Sequence, residues 1–254
     1  MALDMRGEVE KTTKTEFSKS QLDRLGERLR GDQLSAEDLT SLDEYRRSFT
    51  EGYEYVVKVI RDELKLEPTG RPAKSTTSIR DKLKRESLRL SQMQDIAGCR
   101  IIIPDIIVQD EAIEALVAKF GEMKCFDRRV RPSHGYRAVH LIAVCSDRSI
   151  EIQVRSAFQH MWAELSEKTA DVIDPAVKYG GGPDWWQEEL RELSEIIAER
   201  EDLQRQLHRI KSNVQHYPDR VEDVKALDRQ MAAANVGLKN ALEQLSAEIL
   251  NGER

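Results

Sequence analysis

The chain has 254 residues and a formal net charge of −6, and this length is enough to bury one sizeable core without disulfide support. Its three cysteines, Cys99, Cys125 and Cys145, show no Cys-x-x-Cys spacing, which favours a reducing compartment and argues against a zinc site. No apolar run approaches the roughly 20 residues of a membrane helix, and the N-terminus lacks the apolar segment of a signal peptide. We therefore expect a cytoplasmic protein with no membrane association.

Charge is distributed unevenly along the chain. Residues 71–100 contain eight Lys/Arg against three Asp/Glu, whereas residues 184–254 contain ten against fifteen. Because local fields guide local ligands, an anionic ligand is expected in the basic middle rather than in the acidic tail. The alternative is that each charged run is an ordinary solvated helix face.

Residues 1–68 are predicted to form an N-terminal helical region. Ser35, with Asp38 three residues later, resembles a capping box at a helix start. Apolar residues then recur at spacings of three and four as far as Leu64, which predicts one long helix that Pro68 ends. Beyond this region, the stretch STTSIRDKLKRESLRL at residues 75–90 is predicted to be a second, strongly basic helix.

In residues 69–180 the spacing of the apolar residues changes, which predicts a core of mixed α and β structure. AGCRIIIP, AVHLIAVC and SIEIQVR are typical of strands, while DEAIEALVAKF and FQHMWAELSEKTADVI have helical spacing. In the last strand Glu151, Gln153 and Arg155 alternate with apolar residues, so the three polar side chains share one face. The expected fold class is α/β (α+β), a mixed sheet flanked by helices.

Residues 184–254 are predicted to form a C-terminal helical hairpin. Two stretches keep a three-four alternation of apolar residues, and the sequence His216, Tyr217, Pro218 separates them. The hairpin either folds on itself or on the core, or it binds a second copy of the chain or a protein partner. Arg200, Asp228 and Asn235 in the apolar seam are typical of residues that fix helix register.

Two carboxylates and a basic helix suggest phosphoryl-type chemistry. Asp95 stands at the entrance of one predicted strand and Glu151 within another, so pairing of these strands would bring them together. Oxygen ligands suit Mg²⁺, which one or two carboxylates and substrate phosphates commonly hold. Lys82 and Arg85, about one turn apart, could bind those phosphates. No Walker A or GxGxxG motif is present, so side chains would have to bind the nucleotide. Asp95 could instead be a turn or cap residue.

Four motifs in order, SIRDKLKR, DIAGCRI, GYRAVH and EIQVR, resemble the synthetase domain of RelA/SpoT-type alarmone synthetases, in the nucleotidyltransferase superfamily. The resemblance covers about residues 70–170. It implies a Mg²⁺-dependent transfer of the β,γ-pyrophosphate of ATP to the 3′-hydroxyl of GDP or GTP, which makes the (p)ppGpp alarmones of the stringent response. No His/Asp metal constellation of the family's hydrolase domain precedes this region, so a synthetase-only form is expected.

The resemblance also implies residue roles. Asp95 would hold Mg²⁺, Glu151 would be a second metal ligand or the base for the acceptor hydroxyl, and Tyr136 would stack on the acceptor base. Arg100 would stack on the adenine of ATP, for which a planar guanidinium is suited. The implied donor-binding residues are Arg71, Lys74, Ser78, Lys82, Arg85 and Arg100. The implied acceptor-binding residues are Arg131, Tyr136, Arg137, His140, Gln153, Arg155 and His160.

The stretch before GYR departs from the family pattern PKxNGYR. Here it is RPSHGYR, with His134 at the asparagine position and no lysine, although Arg128, Arg129 and Arg131 could supply charge. This departure leaves the identity of the acceptor substrate open. One alternative is an adenosine nucleotide. Another is the 3′ end of tRNA, which would make the protein a translation-blocking toxin. A non-catalytic nucleotide-sensing module is a further alternative from a different class. For Arg137 and Arg155, both a phosphate contact and a structural role stay open.

Overall fold

The computed structural model describes residues 17–213 and 221–250, so the predicted break at residues 216–218 lies outside the described residues. The chain divides into two compact units. The first contains the described residues up to Val56 together with Arg71–Gly98 and Val144–Ile150, and the second contains Val57–Gly70, Cys99–Ala143 and the described residues from Glu151 onward. Within the described ranges, no helix is both long enough and apolar enough to span a membrane.

The described chain alternates helices with the strands of one mixed sheet. The helices are α1 (Lys19–Arg30), α2 (Ala36–Arg47), α3 (Thr50–Asp62), α4 (Thr76–Arg85), α5 (Ile106–Phe120), α6 (Ala157–Val172), α7 (Asp184–Asn213) and α8 (Val221–Leu250). The strands are β1 (Pro68–Arg71), β2 (Ala97–Ile103), β3 (Lys124–Asp127), β4 (Val139–Cys145) and β5 (Arg148–Ser156), in the sheet order β1-β2-β5-β4-β3. The predicted fold class is confirmed.

The N-terminal region differs from the single long helix expected there, because α2 and α3 are separate helices. Ser48 ends α2: its backbone N–H donates to Glu44 and Tyr45, and its hydroxyl donates to the Tyr45 carbonyl at 2.6 Å. Such side-chain bonds compete with continuation of the helical ladder. Arg148, in the same unit, donates to the Ser48 hydroxyl at 2.8 Å and so fixes the break. The basic helix is also shorter than predicted and ends at Arg85.

The central strands follow their apolar patterns closely. Ile150, Ile152 and Val154 of β5 are fully buried, while Glu151 and Gln153 between them are partly exposed. This alternation confirms the predicted polar face of that strand. β2 and β5 are neighbours in the sheet. This is the strand pairing that the predicted proximity of the DIAGCRI and EIQVR motifs requires.

In the second unit, α6, α7 and α8 share one apolar core. The indole N–H of Trp162 on α6 donates to the Leu190 carbonyl on α7 at 2.7 Å. Arg200 of α7 donates to the side-chain oxygen of Asn235 of α8 at 2.8 Å, which sets the register of the predicted hairpin. The core residues are Trp162, Ala163, Leu165, Ala170, Val177, Trp186, Leu190, Ile197, Leu242, Leu245 and Ile249. The hairpin thus packs on α6, and its self-association stays a prediction.

Candidate active site

In the first unit, two lysines hold the Asp95 carboxylate directly before β2. Lys74 Nζ donates to Oδ2 at 2.6 Å, and Lys82 Nζ on α4 lies 3.0 Å from Oδ1. The backbone N–H of Lys74 also donates to the Ile96 carbonyl at 2.6 Å, which fixes that loop beside the strand. Three predicted site residues are therefore brought together, two of them, Lys82 and Asp95, from separate motifs.

The lysines keep Asp95 charged. Burial raises the pKa of its carboxyl, but the charges of Lys82 and Lys74 and the hydrogen bond from Lys74 outweigh burial, and the pKa lies below its usual value. Asp95 is therefore ionised at neutral pH. Lys74 and Lys82 lie next to the fixed carboxylate of Asp95. Together the three side chains could hold a polyphosphate and its counter-ion.

The same carboxylate fits Mg²⁺. Asp95 Oδ1 is buried and, within the described part of the chain, lacks a hydrogen-bond partner of good geometry. The described residues contain no group of three or more His, Cys, Asp or Glu that could hold a metal. The protein would therefore supply one or two carboxylates and leave the remaining positions to substrate phosphates and water, which is the usual pattern for Mg²⁺.

The other predicted donor-side residues lie at less constrained positions. Arg71 is exposed at the end of β1. Ser78, in the first turn of α4, donates its backbone N–H to the Ser75 cap at 3.2 Å. Arg85, at the end of the same helix, pairs with Glu86 at 3.0 Å. These three residues stay predictions.

In the second unit, five predicted residues form a closed ring of hydrogen bonds, defined here as the polar ring. Glu151 Oε1 bonds to His140 Nδ1 at 2.8 Å, and His140 Nε2 bonds to the Tyr136 hydroxyl at 2.9 Å. Arg155 donates to that hydroxyl at 3.0 Å and to Gln153 Oε1 at 3.1 Å. Gln153 closes the ring by donating to Glu151 Oε2 at 2.8 Å. The polar ring brings β4, β5 and the segment before β4 into one constellation.

The polar ring orients Tyr136. His140 uses both ring nitrogens in it, Nδ1 toward Glu151 and Nε2 toward the Tyr136 hydroxyl, and the donor of each bond is set by the imidazole tautomer. Burial raises the pKa of the Tyr136 phenol, although Arg155 opposes the shift, so the hydroxyl keeps its proton at neutral pH. The Arg155 guanidinium carbon lies 5.0 Å from the centroid of the tyrosine ring. Tyr136 is thereby held in one orientation.

Three cationic or imidazole side chains of this unit have polar atoms without partners. Arg100 Nε, Arg155 Nε and Nη1, and His160 Nδ1 are buried and make no hydrogen bond within residues 17–213 and 221–250. Burial, with Arg155 adding to it, lowers the pKa of Arg100. Burial also lowers the pKa of His160, where Arg155 and Arg100 add to the shift and Glu164 opposes it. Buried guanidinium donors without acceptors are costly, and an anionic ligand would satisfy those of Arg100 and Arg155.

The segment before β4, residues 128–137, is defined here as the acceptor loop. Ser133 and Tyr136 close a tight turn in which His134 has a φ of 52° and Gly135 a φ of 86°, the combination of a type I′ turn. Arg131 is exposed on this loop. Arg137 instead donates to the Arg129 carbonyl at 2.5 Å and to Ser194 Oγ at 2.9 Å. These contacts of Arg137 are structural.

Sequence reasoning missed the residues that brace the acceptor loop from outside the motifs. Asp110 and Ser194 lie on α5 and α7, far from the loop in sequence. No local pattern identifies either residue, because an exposed acid or a serine on a helix is common. Only the fold reveals their contacts.

Comparisons with known proteins agree with the motifs. Residues 70–170 match the family model described as the region found in RelA / SpoT proteins. A curated relative, uncharacterized protein Rv1366 of Mycobacterium tuberculosis, is 34% identical over 116 residues, which are 44% of this chain and 42% of that protein. Uncharacterized protein Mb1401 of Mycobacterium bovis has the same values. The chain thus spans less than half the length of the curated relatives it matches.

Comparison with solved structures also finds similar chains. The small alarmone synthetase 1 of Bacillus subtilis is 24% identical, with a TM-score of 0.49, over 69% of this chain and 98% of that one. The protein smu.1046c of Streptococcus mutans UA159 is 23% identical, with a TM-score of 0.49, over 68% and 98%. The four ordered motifs and the family match together identify residues 70–170 of this chain as a RelA/SpoT-type region.

Proposed function

We propose that the chain is a Mg²⁺-dependent pyrophosphokinase that transfers the β,γ-pyrophosphate of ATP to the 3′-hydroxyl of GDP or GTP. The observation that carries the proposal is the polar ring, in which the Glu151 carboxylate, the His140 imidazole and the Tyr136 hydroxyl are joined by hydrogen bonds of 2.8–2.9 Å. It combines a base with an aromatic that can stack on a nucleobase. The first unit supplies Asp95 and its two lysines for the donor phosphates.

The reaction that we assign to these residues is an in-line substitution at phosphorus. The acceptor 3′-oxygen forms a bond to the β-phosphorus of ATP, the bond from that phosphorus to the α,β-bridging oxygen breaks, and AMP leaves with the electron pair. Glu151 accepts the hydroxyl proton, a role that a positioned carboxylate can fill as general base. Mg²⁺ bound at Asp95 would supply charge neutralisation for the phosphates.

Lys74, Lys82 and Arg100 support the donor half of the proposal. In such transfers positioning and charge stabilisation provide most of the rate. Lys74 and Lys82 already stand within 3.0 Å of the acid that would bind the metal. The unpartnered Nε–H of Arg100, which is predicted to bind the donor, would gain an acceptor from a phosphate.

The test is transfer of label from ATP labelled at the β-phosphate. We expect label on GDP or GTP in the presence of Mg²⁺, and loss of at least about a hundredfold in rate for Asp95→Asn, since the amide is a poorer metal ligand. Asp81→Asn, an acid on α4 outside the predicted site, is the matched control and should retain activity. Absence of transfer to every acceptor would overturn the proposal and favour a nucleotide-sensing module.

The 3′ end of tRNA is a second candidate acceptor. The observation that favours it is the exposure of two neighbouring residues of the acceptor loop, Arg131 and the 76% exposed Val130, because phosphate contacts from arginines hold RNA in register. Arg129 is not available for this role, since it is bound to Asp127 and Asp110. Label on deacylated tRNA alone in the same assay would move the assignment to this candidate.

A further inference from the structure

The acceptor loop is braced by α7, a helix that lies outside the RelA/SpoT-type region, and by acids next to the loop. Arg129, near the start of the loop, donates to Asp110 Oδ1 of α5 at 2.6 Å and forms an ion pair with Asp127 at 2.7 Å. Arg205 of α7 holds the same Asp110 with two bonds, of 3.0 and 3.2 Å. Asp110 therefore connects one end of the loop to α7.

The other end of the loop contacts α7 directly. Arg137 donates to Ser194 Oγ at 2.9 Å and to the Arg129 carbonyl at 2.5 Å, so that a single guanidinium connects both ends of the loop to the helix. Ser194 is 1% exposed, so this hydrogen bond is shielded from water. A buried bond to a charged group contributes more than an exposed one.

The tip of the loop is packed as tightly as its ends. A side-chain carbon added to Gly135 would lie 2.6 Å from the Trp162 ring, and one added to Gly180 would lie 2.2 Å from the His134 ring. Trp162 is itself anchored to the Leu190 carbonyl of α7. The tip and the ends of the loop are thus supported by α7 or by the elements next to it. None of these contacts is made by a residue assigned to catalysis.

We propose that α7 positions the acceptor loop, and with it Tyr136, through Ser194 and Arg205 as positioning residues. The consequence for acceptor binding rests on the function proposed above. When α7 is docked, the loop is held at both ends and the tyrosine enters the polar ring in one orientation. When either bond is removed, the loop gains freedom, which must be lost again when the acceptor binds.

The test compares Ser194→Ala and Arg205→Ala in the full chain with Arg209→Ala, an exposed arginine one turn further along the same helix. We expect faster amide hydrogen exchange in residues 128–137 for the first two variants and no change for the control. In pyrophosphate transfer, we expect the KM for GDP or GTP to rise about fivefold or more while the KM for ATP stays within about twofold. Arg205→Lys, which keeps the charge but not the paired bonds, should recover only part of the loss.

Two results would overturn the proposal: unchanged exchange in residues 128–137, or an equal rise of both KM values. Ser194→Ala removes one oxygen and so should fold even if Arg205→Ala does not. If the unmodified chain transfers pyrophosphate to no acceptor, the proposed function fails, whereas faster loop exchange in the variants still supports positioning by α7. The two failures are therefore distinguishable.

Discussion

Tyr136 is the residue on which the polar ring depends most directly. Its hydroxyl is hydrogen-bonded to His140 and accepts from Arg155, so it joins the acid-imidazole pair to the buried guanidinium. Its ring separately offers a face for a base. Hydroxyl and ring can therefore be tested independently by removing only the oxygen.

We expect Tyr136→Phe to lower kcat/KM for the acceptor by about 10- to 100-fold, because a hydrogen bond to a charged group contributes about 1.5–3 kcal/mol. The KM for ATP should be unchanged. Steady-state kinetics with each substrate varied in turn measure the effect, and Tyr55→Phe, at a 54% exposed tyrosine of α3, is the control. Full activity of Tyr136→Phe would show that the polar ring has no part in the reaction.

At the scale of elements, the sequence predicts what its local pattern encodes. The central strands β2, β4 and β5 have long apolar patterns and were predicted, whereas β1 and β3 are four-residue edge strands without one. The helix break at Ser48 is also held by Arg148, 100 positions away, a contact that no local pattern reveals. The motifs name the members of the polar ring, but its closure requires the pairing of strands and the loop turn.

Glu201 of α7 shows the same limit, since a glutamate on a predicted amphipathic helix is expected to be solvated. It is 6% exposed and accepts hydrogen bonds from Ser156 and Gln159 at the start of α6. Burial raises the pKa of its carboxyl, and the hydrogen bonds only partly oppose the shift. The network joins the end of β5 to α7, and so contributes to the docking on which the acceptor loop depends.

The raised pKa predicts a pH dependence. As the pH rises above about 4.5, the ordinary value for glutamate, the unfolded chain ionises first and the folded state loses stability until its own pKa is passed. We expect the free energy of unfolding of Glu201→Gln minus that of the unmodified chain to increase as the pH is raised from 4.5 to 7. Urea unfolding at several pH values measures it. Glu192→Gln, exposed on the same helix, should show no such trend, and the same trend in both variants would contradict the assignment.

At the scale of the whole molecule, the hairpin is part of a core rather than an appendage. Trp186 is fully buried and Leu242 is 2% exposed in the cluster that they share with α6. The α6 helix carries Trp162, on which the tip of the acceptor loop packs. Residues beyond the RelA/SpoT-type region thus complete the core beneath the residues assigned to the acceptor.

Leu242→Ala should therefore lower the free energy of unfolding by about 2–5 kcal/mol, because it removes buried apolar surface and leaves a cavity. Leu227→Ala on the same helix, where the side chain is 49% exposed, should change it by no more than about 0.5 kcal/mol. Denaturant unfolding followed by circular dichroism and tryptophan fluorescence measures both, and Trp162 and Trp186 report from within the cluster. If α8 were only an attached partner-binding helix, the two substitutions would have equal, small effects; a large difference between them identifies it as a structural part of the second unit.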